Sequence, residues 1–61
     1  MKCRIIEGVT YYPRTTKEAG NYYAVISFLA PKIGAHTFVL NEPQPTRTKA
    51  RTLAIKYIKN L

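Results

Sequence analysis

Sixty-one residues carry ten Lys and Arg against three acids, a formal charge of +7, with one Cys and one His. A chain this short buries only about 60% of the surface it exposes when unfolded, which excludes two-domain enzymes, large barrels and repeat arrays. The lone Cys3 excludes an internal disulfide framework, no Cys/His spacing suits a structural metal, and no apolar run is long enough to span a bilayer.

The segment Met1 to Glu7 lacks the long apolar stretch of a signal peptide, so a soluble protein in the reducing cytoplasm is expected. The three acids are all Glu, at positions 7, 18 and 42. Such a balance favours a polyanionic partner, with nucleic acid first.

Residues 2–12 read as a first strand. Ile5, Ile6, Val9, Thr10, Tyr11 and Tyr12 are β-branched or aromatic and suit a pleated, half-buried surface, with Gly8 as a bulge. Pro13 to Asn21 reads as a polar loop closed by Gly20-Asn21. Tyr22 to Leu29 is the clearest strand. Tyr22, Ala24, Ile26 and Phe28 alternate with Tyr23, Val25, Ser27 and Leu29. A short connection at 30–34 leads to a third strand over 35–40, consistent with an antiparallel hairpin.

The stretch 41–45 holds two prolines and reads as a stiff linker that neither continues a strand nor enters a helix. Thr46 then stands at an N-cap position. From 47 to 60 the pattern is helical: Ala50, Leu53, Ala54, Tyr57, Ile58 and Leu61 form one apolar stripe. The expected fold is one α+β domain over 1–61: a three-stranded antiparallel sheet packed on one face by a single C-terminal amphipathic helix. Tyr22, Ala24, Ile26 and Phe28, with Phe38 and Leu40, are the expected partners of the helix.

One helix covers one face only. The other face would hold Tyr23, Val25, Ser27 and Leu29 with Thr37 and Val39, which is apolar for a solvated surface and points to a partner. That partner is either a second copy of the chain or a ligand. The helix start is also unusual. Acids are favoured in a first turn, where the macrodipole is positive, yet Arg47 and Lys49 stand there. Free N–H groups beside two cations suit a phosphate. Arg14 and Lys17, with Thr15 and Thr16, suit phosphate contacts from a loop. Lys2 and Arg4 on the first strand and Arg51 in the helix complete the expected nucleic-acid-binding set. The tyrosines add stacking potential, although Tyr22 and Tyr57 read as core.

Catalysis has little basis. His36 has no acid near it in sequence and Asp is absent; Cys3 would have to meet His36 across strands to make even a dyad. No enzyme activity, catalytic residue, metal or other cofactor is expected.

Three strands followed by a helix resembles the plant ethylene-response type DNA-binding domain and the arm-binding N-terminal domains of phage and transposon integrases. The resemblance rests on Gly20-Asn21-Tyr22-Tyr23-Ala24-Val25-Ile26, and on Thr46-Arg47-Thr48-Lys49-Ala50 followed by Ala54. It implies a sheet that enters the major groove, backed by the helix, with Tyr23, Val25, Ser27, Thr37 and Val39 toward DNA. Valines stand where those families place arginines, and base edges need donors and acceptors. Gly20 to Tyr23 is also similar to a strand of HicB-type antitoxins, whose acidic residues this chain lacks.

The function expected is therefore a small basic DNA-binding accessory or regulatory protein, of a kind found in phages and mobile elements, with DNA ahead of RNA and no membrane. The alternative is a protein-interaction module, an inhibitor, adaptor or HicB-like antitoxin, that engages a host protein or its own copy through the uncovered sheet face. A symmetric dimer burying Tyr23, Val25, Leu29 and Val39 would supplement the small core.

Overall fold

The computed structural model describes residues 3–61. An antiparallel sheet of four strands in sequential order, β1 (Arg4–Ile6), β2 (Val9–Glu18), β3 (Asn21–Ala30) and β4 (Gly34–Val39), is followed by one helix, α1 (Arg47–Lys59). The α+β class, the antiparallel pairing and the C-terminal helix stand as expected; the strand count is four, not three.

The additional strand comes from two corrections. Residues 2–12 are not one strand with a bulge: Glu7 and Gly8 form a two-residue turn that folds β1 back on β2, with Ile6 opposite Val9. Both turn residues have positive φ, 50° and 81°, the signature of the primed turn whose twist matches a hairpin. Residues 13–18 are not a loop either. They complete β2, which pairs with β3 from Thr10↔Leu29 to Glu18↔Asn21. The turn is Ala19-Gly20, again with φ of 50° and 81°, one residue earlier than the expected Gly20-Asn21.

Pro13 sits inside a ten-residue strand without breaking it, and the hydrogen-bond alternation explains how. The Leu40 N–H donates to the Ala24 carbonyl at 2.9 Å, so even-numbered residues of β3 bond toward β4. By antiparallel alternation, Pro13, which faces Ile26, directs its backbone nitrogen away from β3. It lies just past Tyr11, and among the described residues none of β1 pairs beyond Tyr11.

The helix packs on the face that carries Ala24, Ile26 and Ala30. Ala24, Ile26, Ala54 and Ile58 form the fully buried cluster, with Tyr11, Phe38, Leu40 and Leu53 around it. Alanines at 24, 50 and 54, all fully buried, let helix and sheet backbones approach closely. Phe28 extends the core into an aromatic row, with centroids at 5.9 Å from Tyr11, 5.5 Å from His36 and 6.3 Å from Phe38. Tyr57 closes edge-on against Phe38 at 5.6 Å.

Both helix ends are capped. The Thr46 hydroxyl accepts from the Lys49 N–H at 3.2 Å, the expected N-cap. At the other end Arg4 donates from Nη1 to the Ile58 and Lys59 carbonyls at 3.0 and 2.6 Å. A guanidinium on the last carbonyls satisfies orphan acceptors and complements the negative end of the macrodipole. Nor is the 41–45 segment a free linker. Gln44, the residue between the two prolines, exchanges backbone hydrogen bonds with Tyr22 at 2.8 and 2.9 Å and ties the helix entry to the sheet. Among the described residues no helix is long and apolar enough to cross a membrane.

Candidate nucleic-acid interface

The strand alternation sorts the expected basic residues onto different surfaces. Arg14 pairs with Val25 and Thr16 with Tyr23, so both lie on the open face of the sheet. Lys17 pairs with Tyr22, on the helix side. Arg14 and Lys17 therefore do not act together from one loop. Arg4 donates from Nη1 to the helix C-terminus, which holds it at the opposite end of α1 from Arg47 and Lys49. Lys2 lies outside the described residues.

Lys17 and Arg47 come together at one end of the domain. Lys17 Nζ lies 5.5 Å from the centroid of the Tyr22 ring, and the Arg47 guanidinium carbon 5.6 Å from the same centroid. Two like charges are thus held against one ring. Each gains about 0.5–1 kcal/mol there at an exposed site, against their mutual repulsion. Both side chains are exposed, so their N–H donors remain open to a ligand. Arg51 follows one turn after Arg47 on the same side of α1, and Lys49 stands on the outer side of the first turn. No acid occupies that turn. The free N–H groups of Arg47 and Thr48 and the N-cap thus stand beside Lys17, Arg47 and Arg51, while Lys49 faces a groove that it shares with Glu42.

Tyr22 was expected in the core. It is half-buried and serves as the platform under the two cations, held in place by the Gln44 bridge. Its role, and that of Gln44, follows from the tight Ala19-Gly20 turn, which places Lys17 opposite Tyr22.

The open face is of different character. Ile5, Leu29 and Val39 are 68%, 49% and 52% exposed, with Tyr23 and Val25 half-buried between them. Tyr12, Arg14, Ser27, Leu29, Ala35 and Thr37 line a shallow groove on this face. Ser27 does not offer its hydroxyl to a ligand: Oγ is enclosed and has no hydrogen-bond partner. Thr37 is exposed on β4. Arg14 is the cation that β2 sends to this face and Glu18 the anion, so the face is close to neutral.

Cys3 and His36 do not meet. Cys3 precedes β1 and His36 lies on β4, at opposite edges of the sheet and roughly 14 Å apart across three strand spacings. His36 Nε2 instead contacts the Ile33 carbonyl at 2.9 Å. No family model matches this chain, and no curated protein or solved structure matches it.

Proposed function

We propose that this chain is a small non-enzymatic nucleic-acid-binding protein, accessory or regulatory in role, that grips the phosphate backbone of duplex DNA with Lys17, Arg47, Lys49 and Arg51 at the entry of α1. The observation that carries this reading is the placement of Lys17 and Arg47 over one ring beside a helix start that holds no acid. Like charges at the positive end of a macrodipole cost stability in the free protein. A polyanion removes that cost and gains charge-assisted hydrogen bonds from a fork already oriented by Tyr22. The contacts are to phosphates, so they set position and orientation and carry little sequence information.

The test is the affinity for a short labelled DNA duplex at low salt. The double variant Lys17→Ala/Arg47→Ala should bind at least about tenfold more weakly, because two phosphate contacts and their counterion release are lost. Lys32→Ala, in the β3–β4 turn, should change little. Equal losses in both proteins would mean that net charge alone drives binding and would remove the site.

A second reading uses the open face as a protein-interaction surface, supported by the exposed Ile5, Leu29 and Val39 and by a groove on that face whose formally charged lining residue is Arg14. The same titration separates the two. Val25→Glu lowers DNA affinity only slightly if the helix entry is the site, and lowers it at least about tenfold if the sheet face enters the groove as the integrase-type resemblance implies.

A further inference from the structure

An antiparallel sheet has two edges, and this one treats them differently. Among the described residues, the β1 side carries the devices that discourage pairing. β1 has three residues, and beyond its end the exposed stretch of β2 carries Pro13, which lacks an N–H, then Lys17 and Glu18. Short strands, proline and charge are the usual devices that stop another chain from adding a strand. β4 has none of them. Its six residues, Gly-Ala-His-Thr-Phe-Val, include no Lys, Arg, acid or proline, and the strand is regular from Val25↔Val39 to Ala30↔Gly34.

The direction of its free hydrogen bonds is fixed. The Leu40 N–H bonds to Ala24, so Phe38 and His36, which share its parity, also face β3. Ala35, Thr37 and Val39 therefore direct their N–H and C=O groups out of the sheet. Their side chains are exposed, and two of the three are small.

We propose that the β4 edge is the pairing surface for a second copy of this chain, joined antiparallel about a two-fold axis at Thr37. In that register Thr37 faces its counterpart and Ala35 faces Val39 of the partner. All the outward groups lie opposite one another, giving up to about six cross-strand hydrogen bonds. Thr–Thr pairs are favourable across strands. Charge favours the same antiparallel sense. Lys32, in the turn before β4, and Glu42, just past its end, flank the strand at opposite ends, so antiparallel pairing brings the Lys32 end of one copy beside the Glu42 end of the other. For a chain of +7 this matters: β4 is a flank free of cations along its length, and it ends on an opposite-charge match. The two sheets become one of eight strands, and both helix entries remain free.

The test is sedimentation without nucleic acid at tens of micromolar. Wild type should run at twice the 7.0 kDa chain mass. Thr37→Pro removes an N–H that makes no bond to β3 and should raise the dimer dissociation constant at least tenfold, with the far-ultraviolet circular dichroism unchanged. Should that variant fold poorly, Glu42→Lys carries the test. It should weaken the dimer about threefold to tenfold, and the swap Lys32→Glu/Glu42→Lys should restore it. Amide exchange adds a local readout: the Thr37 N–H gains protection as concentration rises. A wild-type monomer overturns the proposal. So does a dimer indifferent to both Thr37→Pro and Glu42→Lys, which would place the interface on the open sheet face.

Discussion

Ile26→Ala lowers the melting temperature by roughly 8–40 °C. Ile26 is fully buried on β3, between Pro13 and Phe38 in the register, and packs with Ala24, Ala54 and Ile58. Ala24 and Ala54 beside it have no side chain to extend into the space left behind, so the larger neighbours, among them Ile58 and Phe38, would have to shift to fill it. Removing a buried isoleucine to Ala costs about 2–5 kcal/mol, depending on how far the site relaxes. A domain of this length holds about 3–9 kcal/mol in all, and each kcal/mol moves its midpoint by about 4–8 °C. Leu29→Ala on the open face, where Leu29 is half-exposed, should shift the midpoint by only a few degrees. Thermal melts of the two variants check the claim that helix and sheet share one core on one face. Equal losses would mean that the open face is also buried in solution.

Lys49→Glu should move stability and binding in opposite directions. Lys49 is the third residue of α1, and its N–H is the donor that the Thr46 hydroxyl accepts. A glutamate there completes a capping box, satisfies a second orphan donor and places an acid at the positive end of the macrodipole. The fold should gain about 0.5–1 kcal/mol, a rise of several degrees. Affinity for duplex DNA should fall about tenfold or more, since one phosphate contact is lost and a repulsive charge is added. A calorimetric scan and a binding titration on one preparation measure both. Unchanged binding with increased stability would mark Lys49 as an ordinary solvated lysine.

What could be read from the residues follows signal strength. β3 and α1 are legible because each has an unbroken period, two for Tyr22 to Leu29 and 3.6 for Ala50 to Leu61. The β1–β2 hairpin was hidden because Glu7 and Ala19 hold left-handed positions that Asn, Asp or Gly usually fill. The second half of β2 was hidden because it is an edge: with Pro13, Arg14 and Lys17 it has no apolar face to show an alternation. The candidate site was half legible. Arg47 and Lys49 stand out as cations in a first turn without acids. The pairing of Lys17 with Tyr22 depends on the hairpin register, and the capture of Arg4 by the helix C-terminus spans 54 positions in the chain. Local pattern cannot supply a contact of that range, which holds Arg4 at the far end of α1 from Arg47 and Lys49.

The most direct measurement of the central claim is the salt dependence of binding to a duplex. Four cations at the helix entry, Lys17, Arg47, Lys49 and Arg51, should displace about four counterions, so log K plotted against log salt should fall with a slope of about −3 to −4. Each of these cations changed to alanine should make the slope shallower by about one, while Lys32→Ala should not. A flat dependence, or no binding to duplex DNA at low salt, would contradict the account.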